Sequence, residues 1–210
     1  MDEEKEYYAL TRRVFDYLAP VYNVMTLPLV KVRDQVVDFA DATAEAAVLD
    51  VATGTGQQAF AFAKCGCDVT AIDLTESMLA VARKRNRAGL VKFEVANATH
   101  LRFNADCFDI ACVSFALHDM PLPIREQVLK EMARVTRSGG VILVIDYDLP
   151  RNRWGRSLVY RFVSLYEGKY YAQFIASDLR ELLKQTGCEL WDERSVLGGA
   201  ARMWKSVKRS

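Results

Sequence analysis

"VLDVATGTGQQA", Val48 to Ala59, carries an apolar run straight into a glycine-rich turn. A short apolar run stopped by Gly54 and Gly56 and followed by alanines and phenylalanines reads as a buried strand, a tight turn and a helix. That is the opening unit of a parallel sheet covered by helices. Gly54-x-Gly56-x-x-Ala59 has no side chain at the two places where backbone must come closest to a ligand. The turn that decides the fold therefore also marks a binding site.

Downstream of this unit, strands and helices alternate. "QQAFAFAK" suits a helix packed on a sheet, and "DVTAIDL" a second strand. "TESMLAVARKR" starts with Thr75 as N-cap, puts Met78, Leu79 and Ala82 on one side and ends in a basic turn that complements the helix dipole. "VKFEVANA" reads as strand three, "FDIACVSFAL" as strand four, and "PIREQVLKEMARVTR" as a helix with Val128, Met132 and Val135 inward. A turn at Ser138-Gly139-Gly140 then leads to strand five, "VILVIDYDL".

Past the aromatic and basic "RNRWGRSLVYRFVSLYEGKYYAQF" lies the helix "SDLRELLKQTG", with Ser177 as N-cap and Gly187 closing it. The last two apolar segments are separated only by "GGA", too short for a parallel crossover, so they form an antiparallel hairpin. The expected fold is α/β: a doubly wound, Rossmann-like, mostly parallel seven-stranded sheet with a C-terminal antiparallel hairpin and an N-terminal helical cap. One domain is expected over 1–210, divided into the cap (1–44), the ligand-binding core (45–150), an aromatic segment (151–176) and the final helix and hairpin (177–210). The cap, rich in aromatics such as Tyr7, Tyr8, Phe15 and Tyr22, reads equally as a lid over the strand ends or as a further core layer.

Composition bounds the function. With 51% hydrophobic and 26% charged residues and five prolines, the 210-residue chain suits a folded domain rather than a disordered one. A formal charge of +1 gives no long-range attraction to nucleic acid or anionic membrane, so neither is an expected partner. Five cysteines are an odd count and point to a reducing compartment, with the cytoplasm expected. Cys65-Gly-Cys67 has no second pair at zinc-finger spacing and reads as two small residues at a helix-to-strand turn, so no metal is expected. The longest aliphatic run, Val141–Ile145, is too short to span a bilayer, and "MDEEKEYYAL" has no apolar leader region, so integral membrane association is not expected.

The charges beside the glycines bear on the ligand. Asp73 ends the second strand, where a carboxylate holds ribose hydroxyls of a nicotinamide cofactor or of S-adenosylmethionine alike. Asp50 discriminates. In a low-dielectric crevice a carboxylate is repelled by a pyrophosphate and attracted by an ammonium or sulfonium, by several kcal/mol at an effective dielectric constant of about 20. S-adenosylmethionine carries both cations and no phosphate, and the C-terminal hairpin also departs from a dehydrogenase of two mononucleotide halves. A nicotinamide-dependent oxidoreductase and a non-catalytic S-adenosylmethionine-binding protein remain as alternatives.

"VLDVATGTG", "AIDLTESMLAVARKR", "NATHLRFNADCFDIACVSFALHDM" and "EMARVTRSGGVILVIDYDLP" resemble successive motifs of class I S-adenosylmethionine-dependent methyltransferases. More narrowly, "VFDYLAPVYNVMT" resembles the leader of the ubiquinone/menaquinone biosynthesis C-methyltransferases. The resemblance implies that Asp50, Thr53, Gly54 and Gly56 line the methionine part of the cofactor, Asp73 holds the ribose, and Leu74 and Met78 flank the adenine. It also places Asn97 and Ala98 at the adenine amino group, and Ser114 between cofactor and methyl acceptor. The family's leader tyrosine reaches the active site, which makes Tyr22 a candidate catalytic residue. The chain departs from the pattern at His118-Asp119, where the quinone enzymes have Arg-Asn, at Asn23 and Thr26, and in lacking a Gly-x-His-x-x-Trp element. These changes leave methyl transfer in place and the acceptor open.

His118, just beyond strand four, stands where open sheets bind ligands and titrates near neutral pH, so it is the candidate base or substrate-orienting donor. Its alternative is a backbone hydrogen bond in the loop, with Asp119 as a local cap. Trp154, Leu158, Phe162 and Leu165 recur at near-helical spacing, with Tyr166, Tyr170, Tyr171 and Phe174 beyond, and read as an apolar stripe from which one or two aromatics touch the acceptor. Arg151, Arg153, Arg156 and Arg161 read as a solvated helix face. The expected protein is a monomer or homodimer that methylates a small apolar or amphiphilic molecule, with a quinone-like ring carbon leading and nitrogen or oxygen of another metabolite following.

Overall fold

The structure, a computed structural model, describes residues 3–150, 153–163 and 169–209. The cap comprises α1 (Glu3–Leu18), α2 (Tyr22–Met25), a 3-10 turn at Leu27–Leu29 and α3 (Val30–Phe39). The alternating core follows as β1 (Ala47–Val51), α4 (Gln57–Lys64), β2 (Asp68–Asp73), α5 (Glu76–Arg85), β3 (Val91–Val95) and β4 (Phe108–Ser114). A 3-10 turn at Leu117–Asp119 leads into α6 (Leu122–Val135) and β5 (Thr136–Tyr147). After α7 (Arg153–Val163), α8 (Tyr171–Ala176) and α9 (Leu179–Gln185), the chain adds β6 (Cys188–Val196) and β7 (Ala201–Lys208).

The seven strands lie in the order β3-β2-β1-β4-β5-β7-β6. All pairings are parallel except those of β7, which runs antiparallel between β5 and β6, as the short "GGA" link requires. Because β2 and β4 both flank β1, the chain leaves β1 in opposite directions, and the crevice that opens there is where ligands bind in such sheets.

Period-two alternation sends β1 side chains to both faces. Leu49 and Val51 join a core with Met132, Val128 and Ile124 of α6, Tyr7 of α1 and Phe174 of α8. Val48 joins the opposite core with Val32, Val36 and Phe39 of α3 and Phe62 of α4. Truncating a side chain such as Leu49, which is fully buried, costs about 2–5 kcal/mol. The cap thus divides between the two roles open to it: α3 is a core layer, while α1 and α2 wall the crevice.

Two local expectations are corrected. Asp178, not Ser177, caps α9: its carboxylate accepts from the Arg180 and Glu181 amides, while the Ser177 hydroxyl donates to the Phe174 carbonyl at 2.7 Å. Ser138-Gly139-Gly140 is not a separate turn but a bulge inside β5, where pairing passes from Phe108↔Thr136 to Ile110↔Val141. A bulge absorbs the extra residues and re-aims the strand without ending it. No helix among the described residues is long and apolar enough to cross a membrane.

Candidate functional site

The glycine turn closes through Asp73. Its Oδ2 accepts from the Gly54 amide at 2.7 Å, and its Oδ1 from the amide and hydroxyl of Thr75 at 2.9 and 2.6 Å. Thr75 does sit at the N-cap position of α5, but its side chain is spent on Asp73 rather than on the helix. Gly56 has φ +77° and packs so closely that a Cβ there would lie 2.8 Å from Phe93, so only glycine fits. Gly54, at φ +56°, faces Tyr22 and Met78 across a narrow gap.

Ala52 after β1 (φ 53°) and Phe115 after β4 (φ 51°) share this left-handed geometry at the two strand ends that border the site. Such conformations cost of order 1–3 kcal/mol and concentrate at functional sites.

Asp50 is 1% exposed. Thr53 donates its hydroxyl to Oδ2 at 2.5 Å, and Oδ1 has no hydrogen-bond partner. Burial pushes the carboxyl up to about 7, and the Thr53 hydrogen bond offsets only part of this. Burial likewise raises Asp73, against its hydrogen bonds to Thr75 and Gly54.

One cavity over the ends of β1 to β4 brings together Gly54, Asp73, Leu74, Met78, Asn97 and Ala98 on its core side. Tyr7, Tyr8, Thr11, Phe15 and Tyr22 close it from the cap, and Asp119 lines its rim after β4. Behind the glycine turn, a second cavity holds Thr53 and Ser114 together with Arg33, Gln57 and Gln58. Tyr22 and Gly54 border both. Asp50 and Gly56 lie under the turn rather than on either wall.

Asn97 is already engaged. Its Oδ1 accepts from the amide and hydroxyl of Thr99 at 3.0 and 2.9 Å, and its Nδ2 donates to the Tyr8 hydroxyl at 3.0 Å. Any further donor to that oxygen has to share it. Side-chain hydrogen bonds fasten the cap above: Asn23 Oδ1 accepts from Thr55 Oγ1 and Gln57 Nε2, both at 2.6 Å, and Ser77 donates to Asp16 at 2.5 Å.

His118 lines neither cavity. It is 3% exposed, and its Nδ1 lies 2.6 Å from Asp146 Oδ1 of β5, while Asp146 Oδ2 accepts from its amide at 3.2 Å. Its Nε2 lies 3.6 Å from Asp119 Oδ2. Tyr147 packs edge-on to the imidazole at 4.7 Å between centroids, with Phe174 at 6.3 Å. Arg125, fully buried, donates to the carbonyls of Leu117 and Met120 and to the Ser177 hydroxyl, which fixes the loop bearing His118.

In the aromatic segment, Tyr171 packs on Tyr147 at 5.7 Å and on Tyr160 at 5.9 Å. Trp154 is 89% exposed, which removes it from the expected buried stripe. Leu165, Tyr166 and Arg151 lie outside the described residues, as do the side chains of Arg153, Leu158 and Phe162. Arg156 and Arg161 are exposed. Cys65 is exposed and Cys67 buried, its thiol directed at the Thr43 carbonyl.

The sequence did not single out Thr11, Arg33 or Gln58, and it marked Tyr8 only as one of the cap's aromatics. Tyr8 and Thr11 are one helical turn apart on α1, and only the docking of that helix reveals which face meets the cavity.

Residues 48–140 match the methyltransferase domain family. A demethylmenaquinone methyltransferase of Renibacterium salmoninarum is 36% identical over 142 residues, 65% of this chain and 58% of that protein. The chain spans between about half and two thirds of the length of the curated relatives it matches. Among solved structures, a complex of the Haloferax volcanii Trm112 methyltransferase activator with a methyltransferase contains a chain that superposes with a TM-score of 0.76 at 16% identity, covering 93% of this chain and 98% of that one. The [4+2]-cyclase SpnF superposes at 0.68 with 18% identity, over 86% and 81%. At these identities the superpositions speak for the fold alone.

Proposed function

We propose, from the match of residues 48–140 to a methyltransferase domain and the likeness to a demethylmenaquinone methyltransferase, that the chain transfers a methyl group from S-adenosylmethionine to a small, apolar or amphiphilic acceptor. A quinone-like ring carbon is the leading target, by analogy with the demethylmenaquinone methyltransferase. A nitrogen or oxygen of another small metabolite is the next. The setting proposed is cytoplasmic, as monomer or homodimer.

Asp50 carries the reading. A buried carboxylate with one unpartnered oxygen beneath the glycine turn suits a cationic ligand end and repels a pyrophosphate. Around it, Thr53 and Gly54 leave room for the methionine part, Gly56 lets the turn pack on Phe93, and Asp73 retains lone pairs for ribose hydroxyls. Leu74 and Met78 would flank the adenine beside Asn97 and Ala98, with Ser114 toward the acceptor.

The bound cofactor supplies an electrophilic methyl group whose sulfur leaves as a neutral thioether. What remains for the protein is alignment, exclusion of water and the acceptor's proton. Tyr22 lies against Gly54 and positions the acceptor over the turn. Asp119 at the cavity rim takes a proton from an acidic acceptor, and His118 Nε2 behind it receives that proton in turn. Asp146 fixes the imidazole through Nδ1 and stabilises its charged form.

Such a relay predicts an acid limb in the pH profile of kcat that belongs to the coupled Asp119, His118 and Asp146 unit. His118→Gln should abolish that limb and slow turnover about a hundredfold, with cofactor affinity changed less than threefold. An unaltered profile would refute the role.

Because the likeness to SpnF shows that this fold also underlies a protein named as a cyclase, transfer itself must be measured. Thermal stabilisation by S-adenosylmethionine and S-adenosylhomocysteine but not by NAD is expected. Mass spectrometry should then show a demethylated naphthoquinol gaining one methyl. Stabilisation by NAD alone would overturn the reading in favour of a nicotinamide-dependent enzyme, and cofactor binding with no methylated product from any metabolite extract would favour a non-catalytic role.

A further inference from the structure

We propose that the outer face of the cap, from Arg13 on α1 to Lys31 on α3, docks on the surface of an anionic phospholipid bilayer, so that the wall closing the main cavity rests on lipid. This surface is separate from the residues assigned to methyl transfer.

The wall is apolar on both sides. Inward, Thr11, Phe15 and Tyr22 line the cavity over the strand ends, and Thr26 and Leu29 line the second one. Outward, the same stretch exposes six large apolar side chains: Val14, Tyr17, Val21, Val24, Met25 and Leu27. Tyr17 is 82% and Val24 69% exposed. On α1, three- and four-residue spacing puts Arg13 and Val14 on one face with Tyr17, turned away from the face of Thr11 and Phe15.

A helix at a boundary with water buries one apolar stripe and turns its charges outward. Exposed apolar residues scattered singly are ordinary, but a contiguous run of them marks a contact surface. No helix among the described residues is long and apolar enough to cross a membrane, and binding within the interface needs none.

Charge chooses the partner. From residue 12 to residue 31 the charged side chains are Arg12, Arg13, Asp16 and Lys31, all exposed, and Asp16 is engaged by the Ser77 hydroxyl. Three bases against one acid attract anionic headgroups, each base adding about fivefold to surface affinity. A second copy docking through the same face would set bases against bases. The whole-chain charge of +1 averages this excess away, which hides it from a reading of totals.

Glu3, Glu4 and Glu6 crowd the first turn of α1, so the helix would meet the surface by its C-terminal half, with α2 and the Leu27–Leu29 turn beside it. An apolar acceptor dissolved in that bilayer would then be separated from the cavity by a single layer of side chains, among them Phe15 and Tyr22, edge-on at 6.1 Å.

Co-sedimentation of the full chain with vesicles tests this, using phosphatidylcholine alone and phosphatidylcholine mixed with phosphatidylglycerol. Binding to the mixed vesicles should be about tenfold tighter, and added salt should weaken it. Val24→Asp should lose about tenfold toward both kinds of vesicle. Arg13→Gln with Lys31→Gln should lose the preference for phosphatidylglycerol, and both variants should melt as the wild type does. A chain that binds neither vesicle, equal binding to the two, or variants that bind as the wild type does would each overturn the proposal. So would a dimer in sedimentation velocity that Val24→Asp splits into monomers, since a second copy would then cover the face. Vesicle binding is measured without turnover, so its outcome is independent of methyl transfer.

Discussion

At the scale of single residues, Asp50 links stability to pH. Its carboxyl titrates near 7 in the folded chain because burial disfavours the charge, and near 4 when unfolded. Between those values the folded state binds the extra proton, so stability is greatest below about pH 4 and falls as pH rises toward 7. The full contribution, about 4 kcal/mol, is lost above that window. Asp50→Asn should therefore flatten thermal stability between pH 5 and 8 and exceed the wild type at pH 8. Parallel melting curves for the two proteins would contradict this. Asp73, also raised by burial, adds a slope of the same sign.

Local chemistry located Gly54 and Asp73, which line the cavity over the strand ends, while Asp50 and Gly56 sit in the same strand and turn without lining it. Arg33, Gln58 and Tyr8 were not located this way, because a helix offers several faces and only packing chooses one. His118 was correctly located beyond β4, yet its burial depends on Asp146, which is distant in sequence and reaches it through strand pairing.

At the scale of elements, the loop between β4 and α6 depends on Arg125. Three donor groups of one buried guanidinium hold Leu117, Met120 and Ser177, and Phe174 stacks on it at 4.9 Å. Arg125→Met would retain much of the volume but strand two buried carbonyls, at about 1–3 kcal/mol each. A melting temperature lower by about 6–12 °C is expected in calorimetry. A change under 2 °C would show that water replaces the guanidinium.

Helix and strand positions were readable from periodicity, and the faces of α5 and α6 follow it, with Met78, Leu79, Val128 and Met132 all buried. Element ends were harder. Ser177 and Asp178 compete for one cap, and the choice is settled by Arg125, which draws the Ser177 hydroxyl away. Likewise Gly139 and Gly140 look like a turn until pairing with β4 resumes at Val141.

For the whole molecule, the order of strands in space departs from their order along the chain. β1 to β4 find their parallel partners among themselves and carry the glycine turn, Asp73 and Asn97. The free edge of β5, which bears Asp146, is covered only by β7. A chain ending at Gly187 would expose that edge along Val141–Tyr147, and unpaired apolar edges recruit other chains. Size-exclusion chromatography should find it in aggregates, and a monodisperse monomer would show that β5 needs no cover.

During synthesis, then, the two halves of the site mature at different times. The half proposed to hold the methyl donor can close once β5 has emerged, because Ile124 and Val128 of α6 and Ile145 of β5 complete its walls. The edge beside Asp146 stays open until α7, α8, α9, β6 and β7 have all been made, an interval in which a chaperone or the ribosome surface must shield β5.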